Sequence, residues 1–328
     1  MYNLNQSIKK VFNYTYLKNN KNIIHICYGI NDNFARCTAT SIASLCTNNI
    51  NINFTFHILA DSLSTTNKNK FKSLAKQYSI KIKIYEIDIK YLEQLNLPTR
   101  THWPLPTYFR FLLPLYINDN DINKLIYLDA DIFCLNDAKE LFNIDINDYI
   151  IAAVAEEKPS HCIELNIPKH RYFNAGMLVI NLKLWNKFNI SETIFINIQK
   201  YHRLFSLLDQ DALNYTLTGK VKYIEEKFNW FNWFQKPSNN SIKNIVLIHF
   251  GSHPKPWHYT WYTNPHCNKF NINIYSNYEK LTPWKNTPLE MPKKSQDLRC
   301  YSTYLLKHFR IIDGIYWYLK YLKTKWKL

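Results

Sequence analysis

The sequence predicts an α/β fold with a mostly parallel central sheet and a helical C-terminal extension. Short apolar runs alternate with segments of helical periodicity from Asn22 to Ile87. Polar clusters follow two of the apolar runs, and the chain beyond Leu298 is helix-prone, aromatic and basic. Strand, helix and strand in that rhythm mark parallel βαβ units.

The elements follow in order. Asn22–Tyr28 (NIIHICY) suits a buried first strand, and Gly29-Ile30-Asn31-Asp32-Asn33 then turns the chain. From Phe34 to Cys46, residues Ala35, Ala39, Ile42, Ala43 and Cys46 repeat on one helical face. Phe54–Leu59 is the second strand. Ser64–Tyr78 is an amphipathic helix with Phe71, Leu74, Ala75 and Tyr78 on its apolar side, and Lys81–Ile87 is the third strand. Lys124–Leu128 (KLIYL) and Ile245–Phe250 are further strands, the second followed by a loop rich in Pro, Trp and His, His253–Trp261. Pro283, Pro288 and Pro292 make the segment from Asn273 to Lys294 a connector. No internal repeat is present. The expected division is 1–270 for the main domain and 271–328 for a basic aromatic extension.

Hydrophobic residues make up 46% and aromatic residues 16% of the 328, which excludes a disordered chain. The net charge of +16 fits a solvated lysine-rich surface or an anionic partner. Its distribution is uneven. Beyond Leu298 the only acid is Asp313, set among Arg299, Lys307, Arg310, Lys320, Lys323, Lys325 and Lys327. The 7 cysteines form no C-x-x-C pair, and Cys27, Cys46 and Cys134 lie in apolar runs, so reduced thiols in a cytoplasm are expected. The N-terminus lacks the apolar core of a signal peptide, and no run approaches the roughly 20 apolar residues that span a bilayer. A soluble or peripheral protein is expected.

The ends of parallel strands are where ligands gather. Asp129-Ala130-Asp131 follows Leu125-Ile126-Tyr127-Leu128, and two carboxylates so placed can reach a hard divalent cation bridging a diphosphate. Alone, D-x-D also reads as a solvated loop or a helix N-cap. His249 ends another apolar run and is followed by Lys255-Pro256-Trp257-His258. A neutral imidazole can complete an Asp, Asp, His cation site, and a nearby lysine can neutralise phosphate. A lone histidine there equally serves the core. Asp209-Gln210-Asp211 can open a helix, and Phe173-Asn174-Ala175-Gly176 can be a turn.

Taken together these residues resemble glycosyltransferase family 8, most closely its lipopolysaccharide core glucosyl- and galactosyltransferases. The likeness covers nearly the whole chain. It runs through Tyr28–Phe34 (YGINDNF), Ser41–Ser44 (SIAS), Thr107–Phe111 (TYFRF), Lys124–Asp131 (KLIYLDAD) and Tyr172–Trp185 (YFNAGMLVINLKLW). It continues through Asp209–Asn214 (DQDALN), His249–His258 (HFGSHPKPWH) and Pro283–Lys285 (PWK).

The resemblance implies a GT-A type nucleotide-diphospho-sugar transferase fold and transfer of glucose or galactose from a UDP-hexose to lipopolysaccharide core or lipooligosaccharide. Asp129, Asp131 and His249 would hold Mn²⁺, with Mg²⁺ as the alternative. Gly29, Asn31 and Asn33 would contact uracil. Ala130, Arg110, Glu156, Asn174, Asp209 and Lys255 match positions around the diphosphate and sugar. Gln210 matches the position beside the anomeric carbon, with Asp209 and Asp211 flanking it as the rest of the catalytic group. Two departures stand out: Asn31 replaces a usual Asp, keeping a carbonyl oxygen that can accept the uracil N–H, and Ser252 replaces a usual Gly.

Retention at the anomeric carbon is implied too. Gln210 is a poor nucleophile, which favours same-face attack over a glycosyl-enzyme. The basic aromatic C-terminus suits an anionic membrane surface, placing the enzyme in the cytoplasm, peripheral to the inner membrane; it equally suits a helix packed on the main domain. Three rivals remain in view. A sugar-nucleotide pyrophosphorylase needs a Gly-rich phosphate loop, which this chain lacks. A nucleic-acid-binding protein leaves the paired aspartates unexplained, so no nucleic-acid partner is expected. A sugar-nucleotide-binding protein without transferase activity is the third.

Overall fold

The computed structural model describes residues 7–19, 21–95, 97–98, 105–117, 122–231, 239–251, 253–263 and 269–326. Ser252 and Lys327, singled out above, lie outside them. Nine strands bear on the main sheet and its rim: β1 (Ile8–Thr15), β2 (Ile23–Ile30), β3 (Asn53–Ala60), β4 (Lys81–Ile87), β5 (Lys124–Leu128), β6 (Ile132–Cys134), β7 (Ile151–Ala155), β8 (Phe173–Asn181) and β9 (Val221–Ile224). Two more, β10 (Trp230–Phe231) and β11 (Leu247–His249), join β6 in a small second sheet.

The main sheet has the order β1-β4-β3-β2-β5-β8-β7-β9. Four of its pairings are parallel (β2 with β3, β3 with β4, β2 with β5, β7 with β9) and three antiparallel. Successive residues point to opposite faces. Cys27, Leu59 and Tyr85 therefore join one core, with the helices Phe109–Tyr116 and Ile190–Tyr201, while Ile26, Tyr28, Ile58 and Ile84 join the other, under Ala35–Asn48 and Thr65–Tyr78.

Two differences from the sequence reading have physical causes. The edge strand β1 is an addition. It pairs with β4 alone and leaves Lys9 and Lys10 exposed, so it lacks the apolar signal of a buried strand, and edge lysines discourage pairing with another chain. The connector expected from Asn273 begins instead inside a helix, Lys269–Glu279. Long-range contacts hold that helix. Buried Arg36 pairs with Glu279 through Nε and Nη2, and donates to the carbonyls of Pro288 and Thr287, each at 2.8 Å. Tyr275 adds a bond to Glu279 at 2.8 Å and packs edge-on to Phe133.

The final two helices, Ser295–Lys307 and Ile311–Trp326, form a hairpin. Close approach requires Gly314, where a Cβ would stand 2.6 Å from the Leu306 side chain; its carbonyl accepts from Ser302 Oγ at 2.7 Å. The hairpin reaches the loop after β11 through Asp297, which meets His253 Nε2 at 2.9 Å.

Candidate active site

Topology gathers the rim. β2 and β5 run parallel as neighbours, so the turn after Gly29 and the aspartates after Leu128 emerge side by side. β8 runs antiparallel to β5, which brings its first residues to the same edge, where the Asp129 amide donates to the Gly176 carbonyl at 2.7 Å. In the small sheet His249 lies opposite Ile132, and the Phe250 amide donates to the Asp131 carbonyl at 3.0 Å. His249 is thereby set beside Asp131, a placement that sequence spacing does not reveal.

The result is a cleft of about 410 Å³. Of the residues expected from sequence, Gly29, Asn31, Arg110, Asp129, Ala130, Asp131, Glu156, Asn174, Asp209, Gln210, His249 and Lys255 all line it. Asn33 does not line it; its amide donates to Asn31 Oδ1 at 3.1 Å and orients that side chain. Asp211 also lies apart. It is fully buried behind the cleft, accepting from Tyr172 Oη at 2.6 Å and the Leu207 amide at 2.7 Å, and facing His161 Nδ1 at 3.0 Å. Consecutive helical residues diverge by about 100°, so Asp209, Gln210 and Asp211 at the start of the helix Asp209–Leu217 do not share one direction. Asp211 is placed to support Tyr172, which faces Gln210 Nε2 at 3.2 Å, rather than to touch a ligand.

Arg110 organises one side. Its guanidinium contacts Asp129 at 3.0 Å, Asp209 at 3.1 Å and the Ala175 carbonyl at 2.7 Å, and lies over the Tyr127 ring. Burial opposes its charge, but Asp129 and Asp209 outweigh burial and raise it above the usual guanidinium value. Burial pushes the Tyr127 phenol well up, keeping it a donor to Asp129 at 2.8 Å.

On the other side, Lys255 Nζ pairs with Asp131 Oδ2 while His249 Nε2 faces Asp131 Oδ1 at 3.5 Å. Burial raises the Asp131 carboxyl, yet the Lys255 ammonium outweighs burial and holds it well below the carboxylate range. One ligand atom each from Asp129, Asp131 and His249 lies within 4.8 Å of the others. Two carboxylate oxygens and an imidazole nitrogen are a donor set that a divalent cation accepts, and the residues fit one.

Between the two sides, Gln210 Oε1 accepts the Ala175 amide at 3.0 Å and its Nε2 donates to Glu156 Oε2 at 3.0 Å. Asn174 Nδ2 also reaches Glu156 Oε2, at 3.3 Å. Phe173–Gly176 is no turn but the first stretch of β8, with the Ala175 and Gly176 amides donating to Gln210 and Asn174. Tyr127, Lys158, Leu207 and Phe231 line the cleft without having been singled out; Tyr127 directly precedes Leu128-Asp129 and was the most accessible of these from sequence.

Comparison with known proteins agrees with this geometry. The description Glycosyl transferase family 8 matches residues 25–261, and its companion, Glycosyl transferase family 8 C-terminal, matches residues 272–325. The chain belongs to glycosyltransferase family 8. A lipopolysaccharide 1,3-galactosyltransferase of Salmonella typhimurium is 31% identical, covering 97% of this chain and 96% of the relative. The lipopolysaccharide glucosyltransferase WaaO of Escherichia coli K12 is 31% identical over 98% of this chain and 96% of its own. Among solved structures, the galactosyltransferase LgtC with donor and acceptor sugar analogues superposes with a TM-score of 0.67 at 21% identity, over 79% of this chain and 96% of that one. The GT-A type fold expected of the family 8 glycosyltransferase is thus present, with its D-x-D motif at the cleft.

Burial pushes the Asp209 carboxyl up to about 6, with Arg110 pulling it down and Asp129 adding to the rise. A carboxyl raised above its unfolded value of about 4 contributes stability that is complete below that value and is lost as pH climbs through the folded value. Urea unfolding of wild type and Asp209→Asn should show wild type losing about 3 kcal/mol relative to the variant between about pH 4 and pH 6. A difference independent of pH contradicts the raised carboxyl.

Proposed function

We propose that this family 8 glycosyltransferase moves glucose or galactose from a UDP-hexose onto a sugar hydroxyl of lipopolysaccharide core or lipooligosaccharide, with retention and with Mn²⁺. The observation that carries the reading is the convergence of Asp129, Asp131 and His249 with Lys255, Arg110 and Gln210 in one cleft. The names of the two relatives, both lipopolysaccharide hexosyltransferases, support the substrate class.

A divalent cation held by Asp129, Asp131 and His249 would supply positive charge to the diphosphate as it departs. Lys255, now spent on Asp131, is freed to meet a phosphate once that carboxylate has another partner. Gly29 and Asn31 border the uracil end. Asp209 and Glu156 accept sugar hydroxyls, and Asn174 orients Glu156. Gln210 presents an amide held by Ala175 and Glu156, which cannot form a stable glycosyl ester. The acceptor hydroxyl therefore attacks the anomeric carbon on the face that UDP leaves, the C–O bond to phosphate breaks, and the proton passes to the departing phosphate oxygen. Fixed charges aimed at that oxygen provide the stabilisation.

UDP release from UDP-glucose and UDP-galactose, with Mn²⁺ or with EDTA, tests this directly. Metal-dependent release is expected, reduced on the order of 100-fold or more in Asp131→Asn; equal release with EDTA, or none from either donor, contradicts it.

In this reading residues 1–270 carry catalysis and 271–328 meet the membrane and acceptor. Among the described residues no helix is long and apolar enough to cross a membrane. At the hairpin tip Phe309 is 89% and Ile312 86% exposed, with Ile315, Leu319 and Trp326 also exposed. Lys307, Lys320, Lys323 and Lys325 lie on the same two helices. Apolar side chains among lysines match an anionic leaflet and support a location at the cytoplasmic face of the inner membrane. The double substitution Phe309→Glu, Ile312→Glu should abolish flotation with phosphatidylglycerol vesicles while UDP-sugar hydrolysis persists; unchanged flotation refutes the anchoring role.

A further inference from the structure

His249 can offer Nε2 to a cation only if its proton sits on Nδ1. Which nitrogen carries it is set by the hydrogen bond the other one makes. That bond can be traced to a backbone group whose role is fixed. The Gly176 amide can only donate, and it donates to Asn174 Oδ1 at 2.9 Å. Asn229 meets the same oxygen at 2.9 Å and must do so with its donor, Nδ2. Its other end, Oδ1, then faces His249 Nδ1 at 3.1 Å and can only accept. The sequence of donors and acceptors therefore puts the ring proton on Nδ1 and leaves a lone pair on Nε2.

We propose that Asn229 is a positioning residue that fixes His249 as the Nδ1–H tautomer and so keeps Nε2 available to a divalent cation. The proposal rests on the reading of Asp129, Asp131 and His249 as a cation site. A histidine side chain in water prefers its proton on Nε2, so the site needs a device to reverse that preference. Asn229 is suited to be it. The residue is 3% exposed, and it is anchored by its own amide, which donates to the Glu226 carbonyl at 2.9 Å.

The glycines around the ring serve the same end. A Cβ on Gly176 would stand 2.4 Å from His249 Cε1 and 2.9 Å from Nδ1, pushing the ring off Asn229. A Cβ on Gly251 would lie 3.2 Å from Nε2 and 2.3 Å from the Phe231 ring, which packs edge-on against His249. Gly176 thus provides both the donor that orients the network and the space in which the ring stands. Asn229 was not singled out from sequence. It lies in the run Phe228-Asn229-Trp230-Phe231-Asn232-Trp233, where two asparagines alternate with aromatics and nothing marks one of them.

Two measurements test the proposal. Long-range ¹H–¹⁵N correlation on the metal-free full chain, at a pH where the ring is neutral, should show the His249 proton on Nδ1; a proton on Nε2 overturns the proposal without any variant. Calorimetric titration of Mn²⁺ in the presence of UDP should then show Asn229→Leu weakened about 10- to 100-fold, the range typical of a ligand's orienting partner. Asn229→Asp still accepts from Nδ1–H but no longer donates to Asn174. It should therefore bind Mn²⁺ close to wild type, whereas a purely structural role predicts a loss like that of the leucine variant. Equal Mn²⁺ binding by wild type and Asn229→Leu overturns the proposal alone. Failure of wild type to bind Mn²⁺ overturns the cation reading beneath it.

Discussion

Asp131 is a carboxylate buried between the central strand β5 and β6, and a charge removed from water must be met by opposite charge or become neutral. Much of the cleft follows from that demand. Lys255 comes from the loop after β11 to pair with one oxygen, and His249 stands against the other. The small sheet exists at the position needed to deliver both, because β11 is paired antiparallel to β6 immediately beyond Asp131. The loop bearing Lys255 is in turn held from outside, by Asp297 on the C-terminal hairpin and by the backbone pairing of Trp257 and Tyr259 with Glu290. The extension thus belongs to the support of the site as well as to the surface.

Asp129 solves the same problem differently. Its partner Arg110 is shared with Asp209, so one guanidinium ties the two carboxylates together. Removing either acid leaves a buried charge short of a partner, and such losses are costly. Successive amides of β8 then orient the neutral groups between the two sides, Ala175 holding Gln210 and Gly176 holding Asn174. The polar groups of the cleft are therefore tied to one another, with Lys255 paired to Asp131 on its far side.

Most of the fold was legible in sequence because buried parallel strands are written as apolar runs. Lys81–Ile87 and Lys124–Leu128 coincide with β4 and β5, and the helix read from Phe34 to Cys46 corresponds to Ala35–Asn48. Legibility failed where stability comes from afar. The edge strand β1 is half exposed and lysine-bearing, and the helix Lys269–Glu279 depends on Arg36, which lies 243 residues away in the chain. The residues read at strand ends do converge on one cleft, because a strand end has a local signature. Asp211 turns away from the cleft because adjacency in sequence is not adjacency in direction on a helix, and nothing in the sequence marks Asn229, whose two partners lie on other strands.

In the proposed reaction Asp131 exchanges Lys255 for a divalent cation when a nucleotide diphosphate enters. Crystals grown with UDP and Mn²⁺ test it through anomalous scattering at the manganese edge. One peak bonded to Asp129, Asp131 and His249 Nε2 is expected, with the Lys255 ammonium moved from Asp131 onto a phosphate oxygen. Bound UDP with no peak at those three residues, and Lys255 still paired to Asp131, would contradict it.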